Sequence, residues 1–127
     1  KRMWRVFVII GALGAALAVG LGAFGAHGLE GTLSDKMMSN YQTGVQYQMF
    51  HTLGILIVGT LAAYTGDSSA LTWSGWLLLF GIVIFSGSLY VMALTGMTWL
   101  GAITPIGGVS FIIGWVLLVV AVSKIKK

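Results

Sequence analysis

The two histidines, His27 and His51, are the side chains best suited to chemistry in this sequence. Imidazole transfers protons near neutral pH and is a common ligand of metals and of haem iron. His51 lies within an apolar segment, where a polar side chain is costly and is a functional candidate by default. Tyr47 and Gln48 precede it by four and three residues, so they are its neighbours on a helix surface. Together with Gln46 they form a candidate polar cluster.

This cluster is open to three interpretations. Its polar groups hydrogen-bond one another and hold helices together, or they bind a lipid-like or quinone-like ligand, or they line a pathway for protons or small solutes. Haem held by the two histidines is a further alternative, which requires both rings to face one cavity. A metal centre is not expected, because the sequence has no cysteine and no carboxylate within its apolar segments.

Catalytic groups of other kinds are poorly placed in the sequence. Glu30, Asp35 and Asp67 fall in predicted loops, so no pair of carboxylates is expected to converge on a substrate. Ser86 and Ser88 have no base nearby in the sequence to activate a hydroxyl nucleophile. We therefore predict a protein that is not an enzyme and has no cofactor, unless a lipid or quinone fills that role.

The composition indicates a membrane protein. Of the 127 residues, 57% are hydrophobic and only 8% are charged, whereas a soluble domain has roughly a quarter charged residues. The mean hydropathy is +0.96. The net charge of +4 comes from basic residues near the two ends rather than from a basic stripe, so nucleic acid is not an expected partner. These residues are Lys1, Arg2, Arg5, Lys124, Lys126 and Lys127.

Four apolar segments without Asp, Glu, Lys or Arg predict an all-α, integral membrane four-helix bundle in one domain, 1–127. The predicted spans are 6–24, 45–64, 73–94 and 105–122. Four spans place both basic termini on one side, and the positive-inside rule then predicts N-in and C-in in a bacterial plasma membrane. Tyr41 is expected at the outer interface. The alternative, that the first segment is a cleaved signal peptide, leaves three spans and explains the basic C-terminus less well.

Two helix starts carry sequence signals. Ser34 or Asp35 is a suitable cap for a helix from Lys36, whose first turns to Gly44 form a short amphipathic lead-in to the second span. Gly44 is the expected bend there. Thr104 is the expected cap of the fourth span, because the proline that follows it is tolerated in the first turn.

Small residues at helical spacing predict where the spans pack, because lipid supplies no hydrophobic force between helices and close approach must hold them together. We expect these faces inside the bundle, with an oligomer or partner interface as the alternative. The predicted packing residues are Gly11, Gly14, Ala15, Ala18, Gly22, Gly87, Gly108 and Gly114.

Several motifs resemble the YgdD/YwdK-like family of small bacterial inner-membrane proteins, a domain of unknown function with mitochondrial relatives. They are GAFGAHGL at 22–29, YQTGVQYQMFH at 41–51, FSGSLYVMAL at 85–94 and ITPIGG at 103–108. The resemblance covers nearly the whole chain and implies a four-helix membrane protein of about this length. It does not imply any particular activity, because none is established for the family. The polar residues of these motifs are expected to form one pocket. Its predicted members are His27, Gln46, Tyr47, Gln48, His51, Ser86, Ser88, Tyr90 and Thr104.

The sequence thus predicts a non-enzymatic protein in contact with membrane lipids. It would act as an accessory or packing subunit of a larger membrane complex or homo-oligomer, or would bind a lipid-like or quinone-like ligand. A proton or small-solute pathway, and haem binding, are the alternatives.

Overall fold

The computed structural model describes residues 3–126, and over these residues the chain is built from helices joined by short turns. Its α-helices are α1 (Met3–Gly28), α2 (Asp35–Thr65), α3 (Ser69–Gly81), α4 (Gly87–Thr95) and α5 (Thr104–Ser123). A π-helical turn, Ile82–Ser86, joins α3 to α4, and a 3-10 turn, Thr98–Ala102, precedes α5. The predicted all-α fold is confirmed. Lys1, Arg2 and Lys127, on which the predicted orientation partly depends, lie outside the described residues.

The described residues contain four helices that are long and apolar enough to cross a membrane: Met3–Gly28, Asp35–Thr65, Ser69–Thr95 and Thr98–Ser123. Each contains one predicted span. The shortest have 26 residues, which at about 1.5 Å per residue gives about 39 Å, more than the roughly 30 Å of a bilayer core. Which side of the membrane holds the termini stays a prediction.

The predicted lead-in and second span form one uninterrupted helix, α2, of 31 residues. Ser34 is its N-cap, as predicted, and its hydroxyl accepts a hydrogen bond from the Met37 backbone N–H at 3.2 Å. The helix continues through Gly44 without interruption. Instead, the absent side chain of Gly44 makes room for α4, because a Cβ there would lie 2.7 Å from Cε1 of Tyr90.

Two helix pairs make up the bundle. α1 packs mainly on α2, α5 packs mainly on α3 and the π-helical turn, and α2 packs on the whole third span. The main core lies between these pairs and contains Phe7, Ile55, Leu78 and Phe111. Since α2 and α5 have few backbone contacts, mainly side chains fill the space between them. We call the end of the bundle with the α1–α2 connection and the 3-10 turn the distal end.

The small residues of α1 face α2. A Cβ on Gly11 would lie 2.6 Å from Cγ of Leu56, and one on Gly14 would collide with Thr52. Ala18 is buried in the same row, whereas Gly22 is in ordinary contact with Val45, and Ala15 is half-buried.

The third and fourth spans follow the predicted packing residues less closely. Gly114 is buried, with its Cβ position 2.9 Å from Leu78. Gly87 faces open space, and Gly108 has only Phe85 nearby, at 3.9 Å. The neighbouring Gly107 makes the close approach instead, because a Cβ there would lie 2.5 Å from the backbone nitrogen of Phe85.

The predicted cap of α5 was wrong. Thr104 does not cap α5: Ile103 precedes the helix without a side-chain cap, and the Thr104 hydroxyl donates to the Leu100 carbonyl of the preceding 3-10 turn at 3.2 Å. Tyr41, expected at the outer interface, packs inside the bundle, and its depth in the membrane stays a prediction. Its side chain is buried, and its hydroxyl donates to the Leu21 carbonyl of α1 at 2.6 Å, because Gly25 leaves space for its ring.

Candidate ligand-binding cavity

The residues of the predicted polar pocket fall into separate groups rather than one. Gln48, Ser86 and Tyr90 join α1, α2 and the third span. Ser88 and Thr104 join α4 to α5. Gln46, Tyr47 and His51 line a cavity between α2 and α5, and His27 lies exposed at the end of α1.

Gln48 makes a bridge between three helices. Its amide nitrogen donates to the Gly14 carbonyl of α1 at 2.9 Å, and its amide oxygen accepts from the Tyr90 hydroxyl of α4 at 2.6 Å. The side chain is only 5% exposed, so water does not compete for these bonds. Ser86 donates to the Gly44 carbonyl at 2.7 Å in the same region. These groups are occupied by protein partners, which fits a structural role.

A smaller polar contact joins α4 to α5 near the distal end. The hydroxyls of Ser88 and Thr104 are 2.5 Å apart and share one hydrogen bond. The Ser88 hydroxyl is also within 2.9 Å of the Phe85 carbonyl. The pair fixes the start of α5 against α4, next to the cavity that α5 lines.

His51 is held by its own helix and by α5. Its Nδ1 lies 2.8 Å from the Tyr47 carbonyl oxygen. Because a carbonyl oxygen can only accept, we assign the ring proton to Nδ1. The ring stacks on Phe111, with centroids 3.5 Å apart and planes inclined by 12°. The side chain is 4% exposed, so both its position and its tautomer are fixed by the fold.

The cavity beside His51, here called the His51 cavity, has a volume of about 670 Å³. Five aromatic rings line it: Tyr47, Phe50, Phe85, Phe111 and Trp115. Along α5 it extends from Pro105 to Trp115, which is about 15 Å of helix. Its size falls within the usual range of ligand sites, roughly 300 to 1,000 Å³, and apolar walls with few polar groups are typical of such sites.

The cavity opens at the side of the bundle. Phe50, Val109 and Ile112 line it and are 61%, 55% and 64% exposed. The rim of the opening is therefore apolar on this side. Among the described residues, no Asp, Glu, Lys or Arg lines the cavity.

The polar atom at the inner wall is Nε2 of His51. Within residues 3–126 this atom has no hydrogen-bond partner. Every fully enclosed side-chain nitrogen or oxygen among these residues does have a partner, so Nε2 is not fully enclosed. Nε2 therefore faces the open space of the cavity. A neutral imidazole with its proton on Nδ1 presents a lone pair on Nε2, so a hydrogen-bond acceptor lies at the inner wall of the cavity.

The π-helical turn shapes the opposite wall. It carries Phe85, whose ring centroid lies 4.5 Å from that of Tyr47 and 5.4 Å from that of Phe111. The turn is held at both sides, by the hydrogen bond from Ser86 to α2 and by the close approach of Gly107. Single π-helical turns are frequent at functional sites.

The haem alternative depends on His27, which does not line the His51 cavity. Haem bound by two histidines would need both rings in one cavity, and the structure does not provide this arrangement. Among the described residues there is also no group of three His, Cys, Asp or Glu side chains that could hold a metal ion.

Sequence comparison places the chain among known proteins. Residues 21–108 match the family described as "Protein of unknown function (DUF423)". The chain belongs to this family. The resemblance seen in the sequence motifs is thereby confirmed, because one of the relatives of this chain is named YwdK.

Relatives in Staphylococcus and Bacillus align over almost their full length. The chain is 61% identical over 120 residues to the UPF0382 membrane protein SERP0230 of Staphylococcus epidermidis, covering 94% of this chain and 97% of that protein. It is 55% identical over 120 residues to the UPF0382 membrane protein YwdK of Bacillus subtilis, covering 94% and 98%. No solved structure matches the chain. These names describe membrane proteins and state no activity, and with four apolar helices the chain is a multi-pass membrane protein.

The aromatic wall of the cavity was missed from the sequence. A signal was available, because Tyr47 and His51 are four residues apart, as are Phe111 and Trp115. Residues at this spacing share a helix face, so each pair predicts one aromatic face. That the two faces meet depends on how α2 and α5 pack, which the sequence alone does not show.

Proposed function

We propose that the protein is a non-enzymatic membrane protein that binds a bilayer-dissolved, lipid-like or quinone-like ligand with a flat polar head in the His51 cavity. The observation that carries this proposal is Nε2 of His51, which has no hydrogen-bond partner within residues 3–126 and faces an aromatic cavity. The His51 side chain as a whole is only 4% exposed. A polar atom that faces apolar surroundings inside a membrane is costly unless it is paired. A ligand with a complementary polar group would pair it.

The energetics favour a ring-shaped head over an alkyl chain. Lipid tails are as apolar as the cavity walls, so moving an alkyl chain from the bilayer into the cavity changes little. Affinity must come from stacking on the rings and from the hydrogen bond to Nε2. Each aromatic pair adds about 0.5–1.5 kcal/mol beyond area burial, and five rings line the site.

The other functions have less support. A proton or solute pathway through His27, Gln46, Tyr47 and His51 would need a continuous polar route, and His27 is exposed outside the cavity. Gln48 and Tyr90 are already bonded to one another. Membership of a larger complex or a homo-oligomer stays a prediction, and the small residues of α1 that suggested it face α2.

A fluorescence titration tests the proposal. The purified protein in lipid nanodiscs is titrated with a short-chain naphthoquinone and, without oxygen, with its hydroquinone, while tryptophan emission is recorded. Trp115 lines the cavity, so we expect a saturable loss of emission with at least one of the two, above the linear collisional background. Trp115→Phe should remove most of the saturable part.

Two glycine substitutions provide a matched comparison. Gly108 lines the cavity and has room for a side chain, with its nearest neighbour at 3.9 Å, so Gly108→Leu should fill the cavity and abolish saturable binding. Gly20 faces open space on α1, so Gly20→Leu should leave binding unchanged. Equal binding by the two variants, or no saturable signal in the unmodified protein with either probe, would refute the proposal.

A further inference from the structure

The tautomer of His51 determines what kind of head group the cavity can take. Nδ1 donates its proton to the Tyr47 carbonyl, which lies one helical turn earlier. The neutral ring then has a single polar atom left, Nε2, which can only accept. A head group that pairs with it must bring a hydrogen-bond donor.

The charged form of His51 would reverse this preference, because its Nε2 would carry a proton. The surroundings provide no charge to stabilise that form. The side chains facing the ring are Tyr47 and Phe50 from α2 and Phe111 and Trp115 from α5. The phenol of Tyr47 is the one titratable group among these four. The acidic residues Glu30, Asp35 and Asp67 lie outside the cavity lining, and an unpaired buried cation is costly.

We infer that the His51 cavity selects a neutral aromatic head that bears a hydroxyl group, such as a phenol or a hydroquinone, over a head of the same shape that offers only carbonyl oxygens. This inference rests on the proposed function. The hydroxyl donates to Nε2 of His51, and the ring that carries it lies among the aromatic walls. A carbonyl oxygen at the same place would face a lone pair and leave both acceptors unpaired.

Other polar groups of the cavity do not alter this preference. Gln46 and Tyr47 line it but are exposed, and Tyr47 is 40% exposed. Each can donate or accept, so they bind a hydroxyl or a carbonyl at the far side of the head with little discrimination. Nε2 of His51, which can only accept, is the discriminating atom, because sites that hydrogen-bond a substrate hydroxyl reject analogues that lack it.

A competition experiment measures this selectivity. A 4-alkylphenol and the matching 4-alkylfluorobenzene, in which fluorine replaces the hydroxyl and cannot donate, each compete with the naphthohydroquinone in nanodiscs. Concentrations are expressed per lipid, so that partitioning does not enter the comparison. We expect the phenol to displace the probe at about a tenth or less of the fluorobenzene concentration, the factor expected for one unpaired buried polar group. The hydroquinone should likewise bind about tenfold more tightly than the quinone.

His51→Phe is the decisive variant, since it keeps a ring on Phe111 and removes the acceptor. In this variant the phenol and the fluorobenzene should compete equally. Equal competition in the unmodified protein, or a phenol preference that persists in His51→Phe, would overturn the inference while leaving a ligand-binding cavity in place. If neither redox form of the naphthoquinone binds saturably to the unmodified protein, the proposed function itself fails, and the inference fails with it.

Discussion

Replacing Gln48 with leucine should loosen the bundle more than any other single polar substitution that preserves side-chain size. Leucine occupies nearly the same volume and removes both ends of the bridge: the donation to the Gly14 carbonyl at 2.9 Å and the acceptance from the Tyr90 hydroxyl at 2.6 Å. The backbone of α2 is undisturbed, because leucine is a good helix former. Any loss of stability then reports on contacts between helices.

The size of the effect follows from the number of bonds. Hydrogen bonds between membrane helices contribute about 0.6 kcal/mol each on average and up to about 1.7 kcal/mol. Two bonds give about 1–3 kcal/mol. The Gly14 carbonyl keeps its own helical partner, and the Tyr90 hydroxyl keeps its contact with Ser86 but loses its 2.6 Å bond to Gln48, so the loss should lie within this range.

Reversible unfolding in mixed micelles, followed by helical circular dichroism, measures the change in the free energy of unfolding. Gln42→Leu is the matched control, because Gln42 is exposed on the same helix, and it should change the free energy by less than about 0.5 kcal/mol. Tyr90→Phe should cost about 0.6–1.7 kcal/mol. The double variant Gln48→Leu/Tyr90→Phe should lose less than the sum of the two, because both single substitutions remove the same hydrogen bond between Tyr90 and Gln48. Equal losses for Gln48→Leu and Gln42→Leu, or strict additivity in the double variant, would refute the bridge.

Three further substitutions test the helix packing and the cap of α2. Gly11→Leu should destabilise the fold by about 1–3 kcal/mol, because its Cβ would lie 2.6 Å from Leu56 Cγ. Gly20→Leu, the control, should be neutral. Comparable unfolding curves for the two variants would contradict the α1–α2 contact. Phe111→Ala should cost about 3–5 kcal/mol, since the buried ring supports His51, and a loss below 1 kcal/mol would count against this core. Ser34→Ala should cost about 1 kcal/mol through loss of the α2 cap, with faster amide exchange confined to the first turn of α2; unchanged exchange there would exclude the cap.

Hydropathy and local capping were sufficient to predict the four spans and the start of α2. Both depend on the chain's own sequence over short distances, and the apolar stretches are long and free of charge. The predicted cap of α5 was wrong because the Thr104 hydroxyl has other partners. One is local, the Leu100 carbonyl of the 3-10 turn four residues earlier. The other is Ser88, which could not be recognised before α4 and α5 were placed together.

The candidate site was less predictable because composition does not show which way a side chain points. Gln46, Tyr47 and Gln48 are consecutive, so their side chains are roughly 100° apart around α2 and cannot all face one pocket. Gln48 faces α1 and Tyr90, whereas Tyr47 faces the cavity. The π-helical turn at Ile82–Ser86 shifts the faces of the third span relative to a regular helix. Gly87, expected at a helix contact from regular spacing, therefore faces open space.

The most direct measurement is the anaerobic titration of naphthohydroquinone into the nanodisc-embedded protein, compared among the unmodified chain, Gly108→Leu and Gly20→Leu. A ligand-binding His51 cavity predicts saturable quenching of Trp115 in the unmodified chain and in Gly20→Leu, and only the linear background in Gly108→Leu. Saturable quenching that survives in Gly108→Leu, or its absence from the unmodified chain, would contradict the account.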